Sequence, residues 1–457
     1  MGSLSASLNI ALQSMLVEQG AIEVTSNNIA NVNTPGYSRQ RAEFSENPPV
    51  KIGGVLFGTG VKLQDVASLR DSILDLRADQ ETQQQGQLNA FIKGGQQIQA
   101  LFNETAGTGL QGPLTAFFNS ISQLAATPGD LNARQGVITA GQNLARAFNQ
   151  ASSSLATLQR NSDLGVTQSV TQINALTKQI AAVNTQVAAA VTSGQNPGPF
   201  VDQRQQLLTQ LSNLIDISEI NAGDGSLTIT TSNGAPLVVS GQTFQLSTQT
   251  GPTGLQDVFS QATDITSKIA GGQLAGQLQI RDQEIPSVKT ALDTLAFNLA
   301  SAVNTQQAAG FDLNGAVGGN FFVPPPAGGV GAASSIAVAI TDPNKIAASQ
   351  DGTPGDNANA NALLALQNQP IVGGQSPLNF YSGLVFNLGN DVSAAQANQQ
   401  AGGLVLQQIQ DLQGGVSNVD INEEAANLVR FQNAYQASAQ ISSVINTLLE
   451  TTINMVS

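Results

Sequence analysis

The feature that most constrains this chain is the character of its two ends, which carry almost no charge and repeat apolar residues at helical spacing. No Asp, Glu, Lys or Arg occurs from Met1 to Val17. Leu8, Met15, Ile22 and Ile29 recur every seven residues, with Leu4 and Ala11 on the neighbouring row of the same helix face. At the other end Phe431, Ala434, Ser438, Ile441, Ile445, Leu448, Thr452 and Met455 follow spacings of three and four, and Leu428 and Tyr435 join them in the expected C-terminal assembly seam. Glu450 is the only charge after Arg430. A coiled-coil seam is the simplest reading of both stripes. Two amphipathic helices on one globular core would give the same stripes. The outer faces separate the two, because they carry Ser, Asn, Gln and Thr where a surface helix usually carries ions. Such faces pack against neighbours without desolvating charge, which favours burial between subunits.

Composition narrows the class further. At 457 residues the chain has room for two to four domains. Only 11% of residues are charged, against roughly 25% in ordinary globular chains. The net charge is −14 with no basic cluster, which makes nucleic acid and anionic membranes poor partners. No run of about 18 apolar residues is present, so no membrane insertion is expected. Residues 1–30 lack a basic n-region, and Ser3, Ser5, Ser7, Asn9, Gln13 and Ser14 interrupt any apolar stretch. If the chain leaves the cell, a route other than a cleaved signal peptide is expected.

Cys and His are both absent, which removes disulfides, Cys/His zinc sites, Ser-His-Asp triads and Cys nucleophiles. The remaining carboxylates do not assemble a catalyst by spacing. Glu423 and Glu424 are adjacent, point about 100° apart on a helix, and suit the first turn of the last helix. Asp342, Asp351 and Asp356 lie in a Gly/Pro/Asn-rich stretch, where Asp serves turns. Asp312-Leu313-Asn314-Gly315 resembles only the start of a calcium loop and lacks its later ligands. Gly328, Gly329 and Gly331 follow three prolines and precede no Lys, so they are no phosphate loop. No catalytic residue, cofactor or metal site is expected.

The pattern predicts a nested multidomain α+β plan. A first helix over 4–30 leads into an irregular segment over 31–61. Helix is expected again over about 61–104, marked by Val66, Leu69, Ile73 and Leu76, then over 113–126, 130–160, 163–193 and 200–215, with breaks at Pro128, Pro197 and Pro199. Long helices on short loops make an elongated bundle. After Ile215 the period turns to alternation at 226–230, 236–239 and 243–246, with an Asn233-Gly234 turn, which predicts an inserted β domain. Helix returns over 286–309, a second strand-bearing insert is expected over 316–380, and further helices close the chain. The expected domains are therefore 1–45 with 405–457 as terminal helices pairing as a coiled coil, 46–215 with 273–315 and 381–404 as the helical rod, 216–272 as the β domain, and 316–380 as the second insert. Both termini end up at one end.

The most specific short motif is Ala30-Asn31-Val32-Asn33-Thr34-Pro35-Gly36-Tyr37-Ser38-Arg39. Pro35 and Gly36 suit the two corners of a type II turn, which reverses the chain after the first helix and presents Tyr37 at the bend. The string resembles the N-terminal signature of flagellar rod, hook and hook-associated axial proteins. Ser417-Asn418-Val419-Asp420-Ile421-Asn422-Glu423-Glu424, followed by Asn427-Leu428-Val429-Arg430-Phe431-Gln432-Asn433-Ala434-Tyr435-Gln436-Ala437-Ser438-Ala439, is similar to the C-terminal end of the hook-associated protein 1 family. Gly310-Phe311-Asp312-Leu313-Asn314-Gly315 with Phe321-Phe322 resembles a segment of the same family. Ala425 stands where many relatives carry Met, and Phe311 where Tyr is common.

The resemblance implies a structural component of the flagellum, a thin ring of subunits at the hook-filament junction whose terminal helices form the inner tube. It implies further copies of the chain, hook protein and a second junction protein as partners. It also implies export, unfolded, through the flagellar type III apparatus, with a dedicated chaperone covering the C-terminal helix until then. Before assembly, residues 1 to about 40 and about 420 to 457 are expected to be largely disordered, since single helices are marginal without a packed face. Two other readings stay open: a hook or distal rod subunit, disfavoured by the long helical region and the Gly310 to Phe322 segment, and an adhesin or hydrolase using carboxylates such as Asp351 or Asp356.

Overall fold

The computed structural model describes residues 2–52 and 54–456. Helix α1 (Gly2–Ala30) packs lengthwise on the last helix, α11 (Ile421–Val456), so the first and last elements of the chain form one unit. A ribbon of β1 (Gln40–Glu46) and β4 (Val61–Ser68) runs antiparallel beside α1, with a bulge between Glu43 and Phe44. It extends into the short hairpin β2 (Val50–Ile52) and β3 (Val55–Phe57). Phe44 meets Phe431 edge to face with ring centres 6.3 Å apart, which fastens the ribbon to α11.

The ribbon corrects the expected helix start at residue 61. Val61, Leu63 and Val66 complete strand pairing with β1, and Leu69 donates its N–H to the Arg39 carbonyl at 2.8 Å. Helix α2 (Ser72–Leu101) starts only where the Asp71 carboxylate accepts the N–H groups of Ile73 and Leu74, as an N-cap does. The helical region continues with α3 (Gln111–Ala126), α4 (Leu131–Thr192) and α5 (Gly198–Leu214). The break expected near residue 161 is absent, and α4 is one helix of 62 residues. Asn161-Ser162-Asp163 is polar but contains no proline, and polarity alone does not end a helix.

Two separate apolar cores hold the helical body. One gathers α3, the first half of α4 with Val137, Leu144, Phe148 and Leu155, helix α7 (Ile285–Ala308) and the segment around Phe321 and Phe322. The other gathers the second half of α4 with Val166, Ile173, Ile180 and Val187, α5, helix α6 (Gly272–Gln279) and the β insert. The insert comprises the four-stranded sheet β5 (Ser218–Asn221), β6 (Leu227–Thr230), β7 (Pro236–Val239) and β8 (Gln242–Thr243), then the three-stranded sheet β9 (Leu246–Thr250), β10 (Gln256–Ser260) and β11 (Thr263–Asp264). All neighbours are antiparallel.

The segment 316–380 is not strand-bearing. Before the next long helix begins at Pro377 it holds, among the described residues, isolated bridges such as Phe322 with Val338, the short helices α8 (Ala332–Ser335) and α9 (Ala358–Ala365), and a 3-10 turn at Pro343–Lys345. Its density of Gly and Pro prevents a ladder. Helix side chains satisfy its backbone instead. Asn304 brackets Phe322 by accepting its N–H at 2.8 Å and donating to its carbonyl at 2.9 Å. Asp293 accepts from Gly331 N and Ala333 N, both at 2.9 Å. Phe321 and Phe322 are thereby set into the first core against Phe117. Helix α10 (Pro377–Ser417) then returns along α2 and crosses residues 380 and 404 without interruption, where domain edges were expected.

Candidate assembly interface

The turn after α1 is built by its own side chains. Asn31 donates Nδ2 to the Asn27 carbonyl at 3.0 Å and accepts from Thr34 Oγ1 at 3.1 Å. Tyr37 N closes the turn on the Thr34 carbonyl at 3.2 Å. Gly36 sits at φ 76°, the left-handed region required of the second corner, and a Cβ there would lie 2.1 Å from Gln206 Nε2. That glutamine donates to the Pro35 carbonyl at 2.7 Å, tying the turn to α5. Ala30 is exposed and makes no part of the network.

Beyond the turn, the motif becomes a clamp on three parts of the chain. Asn28, fully buried in α1, donates to Glu424 Oε2 at 3.1 Å and to the Gln40 carbonyl at 2.8 Å. Its Oδ1 accepts from Tyr37 Oη at 2.8 Å and from Gln40 N at 2.9 Å. Arg39 binds Glu424 through Nε at 2.7 Å and Glu423 through its two terminal nitrogens. Its backbone N donates to the Ser417 carbonyl at 2.9 Å. Ser38 N donates to Asp202 Oδ2 on α5 at 3.0 Å, and Arg70 holds the other oxygen of Asp202 at 3.0 Å. Residues 28–40 therefore join α1, α11 and the helical body at a single point.

The electrostatics suit a fixed clamp and not proton transfer. Burial, reinforced by the charges of Asp202 and Glu424, raises the Tyr37 phenol to about 12, so it stays a donor at physiological pH. The hydrogen bond to Glu423 leads the causes that raise Arg39 further above its usual value. Burial raises Asp202 against the Ser38 N–H that stabilises its charge. Tyr37→Phe, which removes one hydroxyl and leaves Asn28 Oδ1 its second donor, is expected to cost about 1 kcal/mol. Thermal melting of the variant checks it.

The described residues of the terminal helices pair along a row of small and polar side chains. On α1 the fully buried positions are Ala11, Val17, Ala21, Thr25 and Asn28. Leu4, Leu8, Met15, Ile22 and Ile29 are only half-buried, flanking that row. Small side chains let the helix axes approach, so the contact line follows them and the large residues fall to its sides. On α11, Glu424, Ser438 and Ile445 are buried, Leu428, Phe431, Ala434 and Tyr435 half-buried, and Ile441, Leu448 and Met455 are 53%, 48% and 77% exposed. Ser14 and Ser438 hydroxyls meet at 3.0 Å across the pair. Leu12 and Leu16 on α1 and Val444 and Ile453 on α11 are exposed as well.

Sequence reading missed Asn28, Asp202 and Arg70, and gave Glu424 only a helix-end role. The one available signal was an Asn-Asn pair inside an otherwise apolar helix stripe. The carboxylates weighed for catalysis serve turns. Asp351 accepts from Thr353 N at 2.9 Å, and Asp356 accepts from Ala358 N at 2.9 Å and is pulled down to about 2 by its backbone donors. Asp312 accepts from Asn314 N and Ala316 N at 2.8 and 2.9 Å and pairs with Lys345. No group of three or more acidic side chains suited to a metal occurs among the described residues.

The two ends define the class. Residues 8–37 match the flagella basal body rod protein family, and residues 413–455 match the flagellar basal body rod FlgEFG protein C-terminal family, so the terminal pair is that of a flagellar axial protein. Residues 95–322 match the flagellar hook-associated protein FlgK helical domain. Flagellar hook-associated protein 1 of Bacillus subtilis (strain 168) is 30% identical over 497 residues, covering 98% of this chain and 97% of the relative. Its counterpart in Escherichia coli (strain K12) is 28% identical, covering 99% and 100%. The chain belongs to the flagellar hook-associated protein 1 family. The flagellar hook junction protein FlgK from Burkholderia pseudomallei shares the fold, with a TM-score of 0.66 and 18% identity over 75% of this chain and 100% of that one.

Proposed function

We propose that this chain is a structural subunit of the bacterial flagellum that forms the junction zone between hook and filament by polymerising through α1 and α11. The observation that carries this reading is the exposed apolar surface left on the paired terminal helices. Leu12, Leu16, Ile441, Val444, Leu448, Ile453 and Met455 are all at least 44% exposed on the single chain. Apolar area of this kind is worth roughly 25 cal/mol per Å² when a neighbour covers it. Further copies of the chain, hook protein below and the second junction protein above are the partners that fit. The helical body would form the next shell and the β insert the outermost one. Export through the flagellar type III apparatus, with a chaperone covering the C-terminal helix, accounts for how such a surface stays unassembled inside the cell. The clamp and the turn carboxylates are used up in structural contacts, which supports a structural and non-enzymatic role.

The double variant Ile441→Gln, Leu448→Gln tests this. Both side chains are exposed on the single chain, so folding stability should change by less than about 0.5 kcal/mol per site. Motility of a deletion strain carrying the variant should nevertheless fall well below that restored by the unaltered gene. Full motility would remove α11 from the polymer contact.

A further inference from the structure

The two apolar cores of the helical body share no residue, and α4 and the α6–α7 helix, which run from one to the other, both change character at the crossing. On α4 no residue from Ala156 to Gly165 is buried, although Leu155 and Val166 on either side are fully buried. The segment reads Ala-Thr-Leu-Gln-Arg-Asn-Ser-Asp-Leu-Gly, with Leu158 half-buried at the edge of the first core, Leu164 exposed, and a polar run from Gln159 to Asp163 between them. Facing it, α6 passes into α7 through a π-helical turn, Ile280–Glu284, inside what is otherwise one continuous helix. Such turns insert a residue into the helical ladder and are a recognised origin of helix kinks. On α2 the approach is close enough to exclude side chains: a Cβ on Gly276 of α6 would lie 2.3 Å from the Gln87 carbonyl. An open cleft of about 500 Å³, lined by Lys93, Gly94, Asn161, Gly165 and Gln277 among others, lies at the same level.

One side chain spans this waist. Arg281, on the π turn, is 1% exposed. Its Nη1 donates to Asp163 Oδ1 on α4 at 2.7 Å and to the Gln256 carbonyl on β10 at 2.6 Å. Nε and Nη2 hold the two oxygens of Asp282 at 2.7 and 2.8 Å. Gln159 on α4 donates back to the Arg281 carbonyl at 3.0 Å, and Asp163 also accepts from Gln256 N at 2.8 Å. Beside the buried Ile280 side chain, which belongs to the first core, polar contacts of fixed geometry connect the two halves there.

We propose that the waist at residues 156–165 and 280–284 is a hinge on which the two halves of the helical body bend, and that Arg281 is the latch that sets the bend. Bending about this level strains the Arg281 cluster and, at the edge of the first core, the contacts of Ile280 and Leu158, while the rest of each core moves as a packed unit. Regions with few buried apolar contacts open more readily, which makes the centre of α4 easier to open than the packed turns on either side of it. A subunit jointed in this way adjusts the angle between its β insert and its first core without unfolding either.

The absence of Cys makes the test clean. Spin labels at Thr139→Cys and Gln249→Cys, on the two sides of the waist, report the inter-half distance by pulsed electron resonance in the full chain. Amide hydrogen exchange reports local protection in the unlabelled protein. The expected results are exchange at least about tenfold faster over 156–165 than over 144–155, and a broadened or shifted distance distribution in Arg281→Gln and in Asp163→Asn. Arg160→Gln, on the exposed face of the same segment, should leave the distribution unchanged. The proposal is overturned if 156–165 is as protected as the flanking turns, if neither latch variant alters the distribution, or if broadening comes only with lost protection in both cores.

Discussion

Arg39→Ala is expected to loosen the terminal helix pair from the helical body while both cores stay folded. Glu424 is 2% exposed, and Arg39 is its only cationic partner among the described residues. Removing that partner leaves a buried carboxylate held by the neutral Asn28 amide alone. Breaking a buried pair from one side costs about 3 to 5 kcal/mol, because the surviving charge is left uncompensated. A loss of 3 kcal/mol corresponds to more than a hundredfold shift toward the undocked pair. The contact is graded along its length: the polar clamp lies at the Glu424 end, while Leu448, Ile453 and Met455 at the far end are exposed. The clamp revises the expectation of a largely disordered end before assembly: residues 424–438 should be the best-protected part of α11 in the free chain, and only its last turns should fray. Hydrogen exchange over 424–438 should rise in Arg39→Ala with little change over 137–155. The double variant Arg39→Ala, Glu424→Ala should recover part of the loss, since no unpaired charge remains. If the single variant leaves exchange over 424–438 unchanged, the clamp does not hold the pair.

Asp79→Asn is expected to stabilise the protein at neutral pH. Asp79 on α2 is 1% exposed, and its carboxylate accepts from Gln205 at 2.7 Å, Thr209 at 2.9 Å and Ser212 at 3.5 Å, with no cation in contact. Burial raises it to about 6, with the neighbouring Asp75 charge adding to the rise against those three donors. Glu219 on β5 faces it, raised to about 7 by burial and then by Asp79 itself, and one of its oxygens is buried without a partner. Arg204 on α5, whose charge opposes the rise of Glu219, spends Nη1 on Asn184 Oδ1 at 3.0 Å and the Gly225 carbonyl at 2.8 Å. A carboxyl raised in the fold binds its proton more tightly there than in the unfolded chain. Its favourable contribution is complete below the unfolded value near 4 and is lost as pH rises through about 6. Above that, a buried charge opposes folding by about 3 kcal/mol. Asn keeps an acceptor for Thr209 and carries no charge, so the gain should approach about 3 kcal/mol at pH 8 and shrink to about half at pH 5. Denaturant melts at the two pH values measure it. A variant that is destabilised at pH 8, or equally stabilised at both, contradicts the account.

What could be read from the sequence was local. The first helix, the Pro35-Gly36 reversal, the Asn233-Gly234 hairpin turn and the placement of Glu423 and Glu424 in the first turn of α11 each depend on a few neighbouring residues, and the structure shows each of them. The strand over Val61–Ser68 was not legible, because its partner β1 lies about twenty residues upstream and its alternation is short. The unbroken α4 was missed because three polar residues look like a loop until cores on both sides hold the helix through them. The clamp was the least legible part. The Ser38 contact to Asp202 spans 164 residues and the Arg39 contact to Glu424 spans 385, distances over which composition and period carry no signal. Within the single chain the α1 row is centred beside the expected seam: Ala11 is common to both, but heptad counting selects the largest apolar residues, whereas the two helices approach along the smallest.

The most direct test of the junction role is electron microscopy of cells deleted for this gene, with the culture medium assayed for filament subunits. Completed hooks without filaments, together with filament protein released into the medium, are the expected result. Missing hooks would reassign the chain to the rod or hook, and normal filaments would contradict the junction role altogether.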